Sequence, residues 1–150
     1  MARGRIPPIE ASIEEDDHEA IVAANRAFYA AFSRRDYEAM AAMWATTVPV
    51  ACVHPGQPAM LDRETILRSW HAILRNPNAP KAEASDEFVI ARNGLAIVIC
   101  REILPGGQLI ATNGFVREGE VWKMVHHHAA PAPLAPATQP TEWHDRRKLH

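Results

Sequence analysis

Residues 111–131 read ATNGFVREGEVWKMVHHHAAP, and the interpretation of this stretch decides the fold. On either side of Glu118-Gly119 the residues are rich in β-branched and aromatic types, the composition of strands, and the glycine marks a tight turn. The stretch therefore reads as a hairpin. The pattern repeats upstream: LAIVICREIL (95–104) and QLIATNGFV (108–116) flank Gly106-Gly107, and EASDEFVIA (83–91) precedes Asn93-Gly94. Four strands joined by three two-residue turns make an antiparallel meander.

Upstream of Lys81 the period changes from two to that of a helix. Ser12 and Glu15 have the spacing of a capping box, and Glu14, Glu15, Asp16 and Asp17 suit the positive end of a helix dipole. Ile21, Ala24, Phe28, Ala31 and Phe32 then fall on one helical face through about Arg34. A second helix is expected from Asp36, burying Met40, Met43 and Trp44 and ending before Pro49. VPVACVH is a short strand that stops at the turn HPGQP. Asp62 caps a third helix with an apolar stripe of Ile66, Trp70, Ile73 and Leu74, and NPNAP ends it. Helices gathered on one side of an antiparallel meander define an α+β domain.

A chain of 150 residues is long enough for one domain with a real core. Residues 1–12 read as an N-terminal arm, 13–131 as the domain and 132–150 as a Pro-rich extended tail with Trp143 as a possible anchor on a dimer partner. A net charge of −2 supplies no electrostatic reason to expect nucleic acid as a partner, and Arg146, Arg147 and Lys148 read as a solvated terminal cluster. No apolar stretch approaches the roughly 20 residues of a membrane span, and the N-terminus lacks the apolar core of a secretory signal. Cys52 and Cys100 are far apart, each in an apolar run, and read as reduced, buried residues of a cytoplasmic protein.

Two-residue turns fix a register, and with it the face of every strand residue. In this register Glu87, Val89, Val98, Cys100, Glu102, Asn113, Phe115, Trp122, Met124, His126 and His128 share the face expected to carry the helices and a pocket. Phe88, Ile90, Ile97, Ile99, Ile110, Val116, Val121, Val125 and His127 share the other, with an Asp86–Arg101 cross-strand pair. That second face is too apolar to be left in water, which predicts a homodimer packed through it.

Several strings, in order, resemble the SnoaL-like branch of the nuclear transport factor 2-like superfamily: FYAAFSRRDYEAMAAMWA, VHPG, DRETILRSWHAIL and ATNGFVREGEVWKMVHHHAAP, together spanning about residues 13–131. The resemblance implies a cone-shaped fold, with three N-terminal helices packed on a curved antiparallel sheet, a pocket at its open end and dimerisation through the outer sheet face. The superfamily includes isomerases, dehydratases, cyclases and non-catalytic members. Its isomerases place an aspartate base opposite a tyrosine. Here Tyr29 and Tyr37 lie in the helical half, and no aspartate falls on the pocket face beside the histidines.

On this reading His126 is a candidate base and Glu102 its orienting partner, one strand away across the small Ala111. The same pair would equally serve as a structural ion pair. His54, Asn113, Phe115, Trp122, His128 and Trp70 are candidate ligand-binding residues, with Asn113 or His54 polarising the substrate and the aromatics stacking on it. His126 and His128, two apart on a strand, have the geometry of two zinc ligands, with Glu102 or His54 as a third, but the usual metal-site signatures are missing. The expectation is therefore a site with no metal and no cofactor. The ligand expected is a small apolar molecule with a polar group, handled by acid/base chemistry of the isomerase, dehydratase or cyclase type. The alternative is a non-catalytic dimerisation or ligand-carrier module.

Overall fold

The computed structural model describes residues 15–133. The partnership of Ser12 with Glu15, the N-terminal arm and the tail segment carrying Trp143 lie outside the described residues. Helix α1 (Glu15–Arg34) buries Ile21, Asn25, Phe28, Tyr29 and Ala31. It stops where Arg35 turns left-handed (φ 56°) and the Asp36 N–H bonds back to the Ala31 carbonyl at 2.9 Å. Asp36 then caps α2 (Tyr37–Met43) by accepting the Ala39 N–H, and Asp62 caps α3 (Arg63–Arg75) by accepting that of Thr65 at 2.8 Å. The stripe Ile66, Trp70 and Leu74 turns α3 into the core.

Five strands form one sheet in the order β1-β5-β4-β3-β2: β1 (Ala51–Val53), β2 (Glu83–Arg92), β3 (Leu95–Leu104), β4 (Gly107–Glu118) and β5 (Val121–Pro131). The last four are the expected meander, and the short β1 joins its edge parallel to β5, with Cys52 opposite His127. The three helices lie on one face of the curved, open sheet, an α+β cone. The core fills the space between them with Phe28, Met40, Trp44, Ile66, Trp70, Val98, Phe115 and Met124.

The first turn is Asn93-Gly94, both at positive φ, as a primed hairpin turn requires. The second is Pro105-Gly106 rather than Gly106-Gly107, since Leu104 pairs with Gly107. Proline presets the first turn position, and Gly106 takes the left-handed second one (φ 82°). The third is Gly119-Glu120, with Glu118 opposite Val121. Each of these two corrections slides the pairing by two residues, which changes partners and keeps faces. Cys100 therefore opposes Ala111, and Val98 opposes Asn113.

A change of faces occurs farther along. Phe115 pairs with Met124, yet Gly114 pairs with His126, leaving Val125 as an extra residue. This β-bulge inverts the alternation of β5 beyond it. His127 points inward and is 2% exposed, while His126 and His128 lie on the outer face, the reverse of the expected arrangement. Gly114 makes the bulge possible: a Cβ there would stand 3.1 Å from the His126 Cβ and 3.3 Å from a Val125 methyl.

A second bulge between Ser85 and Phe88 leaves Asp86 at φ 55°. Its carboxylate still meets the Arg101 guanidinium at 2.9 Å on the outer face, as the alternation predicted. Gly114→Ala is expected to lower stability by about 1–3 kcal/mol, because Val125 and His126 must move aside. In a thermal melt this is a fall in Tm of roughly 4–10 °C, and an unchanged Tm would show that the bulge does not need the glycine.

Candidate functional site

Between α1 and the inner sheet face lies a chain of buried polar side chains. The Asn113 amide in β4 donates to Asn25 Oδ1 (2.8 Å) and to the Tyr29 hydroxyl (3.1 Å), both from α1. Tyr29 donates in turn to Glu102 Oε2 in β3 at 3.0 Å. At the other end, His127 Nδ1 meets Asn113 Oδ1 at 2.6 Å. The Cys100 thiol sits beside this chain, 3.6 Å from the Tyr29 hydroxyl and 3.7 Å from the Asn25 amide nitrogen.

Rings wall the histidine end. Phe28 lies 4.9 Å from His127 between centroids, Trp70 lies 5.9 Å away and His54 6.3 Å. His54, just past β1, stands edge-on to Trp70 at 5.0 Å and bonds to the Ser69 hydroxyl at 3.0 Å. Beside Tyr29 lies an open depression of about 370 Å³, lined by that residue with Ser33, Ala82 and Ala84. Arg26, at the rim, forms a two-pronged bond to Glu87 (3.0 and 2.9 Å).

The electrostatics follow from burial. Desolvation raises the pKa of the Glu102 carboxyl above its ordinary value, with the Tyr29 hydrogen bond opposing the rise. Desolvation, aided by the nearby Glu102 charge, pushes the Tyr29 phenol far up, so it remains a donor. His127 is lowered to about 3, chiefly by burial and then by its neighbouring histidines, and His54 is lowered by burial. Both are neutral imidazoles at neutral pH. The Cys52 thiol is pushed up to about 12 and that of Cys100 is also raised, each chiefly by burial, which keeps them protonated.

Of the residues singled out from sequence, the fold gathers Glu102, Asn113, His54 and Trp70 around one interior. Phe115 is core beneath α1, and Trp122 lines a shallow groove between α1 and β5. His126 and His128 are not brought to Glu102 or His54: they lie across the sheet, their rings 6.3 Å apart. The expected His126–Glu102 dyad therefore does not form, because the bulge turned His126, and His128 with it, to the outer face.

Asn25, Tyr29 and His127 are the members that sequence reasoning missed. Asn25 and Tyr29 follow Ile21 at steps of four along the stripe of Phe28 and Phe32, so each was visible as a polar interruption of an apolar face. Gly114, inside a strand pattern, was the visible sign of a bulge.

The unfolded chain protonates His127 near pH 6.5, the folded protein only near 3, so stability falls as pH drops through that window. The loss attributable to this group is about 3 kcal/mol between pH 7 and pH 4. Glu102 acts in the opposite sense, since a raised carboxyl favours the folded state as pH falls toward its unfolded value of 4.5. His127→Asn should flatten the acid limb of a urea-melt series, and Glu102→Gln should steepen it. Parallel limbs in all three proteins would refute the assignment.

The chain's likeness to known proteins accords with this architecture. The family model described as the SnoaL-like domain matches residues 21–134. Two solved structures carry provisional descriptions. One, from Streptomyces avermitilis, is a "putative dehydratase from the NTF2-like family"; it is 34% identical with a TM-score of 0.73, over 79% of this chain and 97% of that one. The other, from Thiobacillus denitrificans, is a "putative calcium/calmodulin-dependent protein kinase type II association domain", 31% identical with a TM-score of 0.67, over 75% and 94% of the two chains. A curated relative, F-box protein SKIP8 of Arabidopsis thaliana, is 25% identical over 113 residues, covering 74% of this chain and 49% of that protein. The chain thus spans about half the length of this curated relative. A matching domain model over the cone, together with relatives sharing both sequence and fold, places the chain in the SnoaL-like family of the nuclear transport factor 2-like superfamily.

Proposed function

We propose that the protein binds a small, mostly apolar molecule bearing a polar group in its conical interior. It converts this molecule by proton transfer of the isomerase or dehydratase type, with Glu102 as the base. One observation carries this reading: Tyr29 lines the depression between α1 and residues 82–84, while its hydroxyl bonds to both Glu102 and Asn113. Behind the Tyr29 wall of that depression stands a carboxylate whose raised pKa makes it a stronger base than an exposed glutamate, hydrogen-bonded to a phenol that remains a donor. Glu102 takes a proton from carbon next to a carbonyl. It returns that proton to another carbon in an isomerisation, or to a departing hydroxyl in a dehydration. The dehydratase description of the Streptomyces avermitilis protein supports the same class.

Two substrates of that class provide the assay, a β-hydroxycyclohexanone and a β,γ-unsaturated cyclohexenone, since both yield a conjugated enone followed by its absorbance. Wild-type protein is expected to accelerate at least one. Glu102→Gln should lose about a hundredfold or more, the usual contribution of a positioned base, with Tm nearly kept. Binding without turnover in both proteins would instead support a carrier. That outcome has an observation in its favour, because the network's amides, phenol and carboxylate are already satisfied within the protein.

The outer sheet face serves association in this reading. Phe88, Ile90, Leu95, Ile97, Ile99, Ile110 and Val121 are 37–55% exposed there, an apolar expanse that a second copy would cover. Its one strong charge pair, Asp86–Arg101, is internally matched and so no obstacle to burial. Light scattering is expected to find a dimer at micromolar concentration and a monomer for Ile97→Lys. A wild-type monomer would exclude this use of the face.

A further inference from the structure

The bulge in β5 places two titratable side chains on the apolar outer face, and the strand pairing shows what lies beside them. From His126 one cross-sheet row runs through Gly114 to Ile97 and Ile90, and from His128 another runs through Thr112 to Ile99 and Phe88. On the opposite side both rows end on β1, at Ala51 and Val53. Four of the seven exposed apolar residues of this face therefore share their rows with the histidines. Neighbouring strands lie about 4.8 Å apart, so His126 and Ile97 stand about 10 Å apart across the bare Gly114. An interface of ordinary size, about 800 Å² per partner, is wider than this, so a surface that covers one covers the other.

Every residue of the two rows is uncharged while the imidazoles are neutral. A two-fold related copy would then lay uncharged rows on uncharged rows, whereas a charged surface would face its own charge in such a contact. The charges around the rows are engaged elsewhere or positive. Arg101 of β3 is held by Asp86 and Gln108, Lys123 of β5 bonds the Ala42 carbonyl, and Arg92 closes β2 at the rim. At the far end of β4, Arg117 turns to Asp17 and Glu118 accepts from Thr46 and Thr47. Beside the rows, Cys52 and His127 face the interior. Among the described residues no carboxylate forms an ion pair with His126 or His128.

We infer that His126 and His128 make self-association through this face pH-sensitive: two copies join while the imidazoles are neutral and part when they gain protons. An imidazolium covered by apolar surface loses its hydration and finds no anion. The two rings, 6.3 Å apart between centroids, repel each other once charged, and the second copy brings a like pair. Already in one protomer, burial and then the neighbouring His128 hold His126 below the ordinary value of 6.5, with the Ala51 carbonyl opposing the drop. Association strips more water from both rings and disfavours their charge further. The free protomer thus binds protons more readily than the dimer, so association is strongest in neutral and basic solution and is lost as pH falls. The inference rests on the proposed outer-face association and adds its control.

Analytical ultracentrifugation of the full chain at pH 7.5 and pH 5.5 tests it, with near-UV circular dichroism as the check on folding. The wild-type Kd is expected to rise about thirtyfold or more at the lower pH while the spectrum is kept. The buried His127 also costs stability in acid, but its effect appears as unfolding. The double variant His126→Asn, His128→Asn should have nearly the same Kd at both pH values, and His126→Lys should be a monomer at both. A wild-type Kd unchanged by pH, a loss that persists in the double variant, dissociation only together with unfolding, or a dimeric His126→Lys would overturn the switch and leave the dimer standing. A wild type that is monomeric at pH 7.5, or a dimer that Ile97→Lys leaves intact, would overturn the outer-face association and the switch with it.

Discussion

One unpaired residue in β5 governs the interior of this protein. The extra residue, Val125, lies opposite the junction of Gly114 and Phe115, and every side chain beyond it changes face. With a regular strand, His127 would sit on the outer surface, and Asn113 would lack the donor that meets its carbonyl. With the bulge, three consecutive histidines divide into one buried neutral group and two outer-face groups. The opposing glycine eases this, because a Cβ at position 114 would stand only 3.1 Å from the His126 Cβ and 3.3 Å from a Val125 methyl.

Once His127 is inside, electrostatics sets the rest. A carboxylate, an imidazole and two amides buried together are tolerated only if each finds its complement. Tyr29 donates to Glu102, Asn113 donates to Tyr29, and the Asn113 carbonyl is left facing His127. A network oriented in this way polarises each successive bond. It also sets the two titrating ends against each other, since His127 is held neutral by the same burial that raises Glu102.

The two sheet faces divide the work. The inner face mixes aromatic core with the polar chain, and the outer is mostly apolar, interrupted by Asp86–Arg101 with Gln108, by Thr112 and by the His126/His128 edge. Hairpin alternation predicted much of this division. It survived two wrong turn assignments because each displaced the pairing by two residues, and an even slip keeps side chains on their faces. The bulge moved β5 by one, and an odd slip does not.

By itself, the sequence determined the helices, their Asp36 and Asp62 caps, the four-stranded meander, the α+β class and the inward facing of Glu102, Asn113 and Trp70. These follow from local periodicity, turn chemistry and side-chain patterning, which act over a few residues. Tertiary structure alone decided which histidine entered. It also brought Asn25 and Tyr29 of α1 to Asn113 and laid β1 parallel to β5. Those outcomes depend on contacts between segments far apart in the chain: Asn25 and Asn113 are 88 residues apart. They depend too on the cost of burying a polar group without a partner, which no local pattern records.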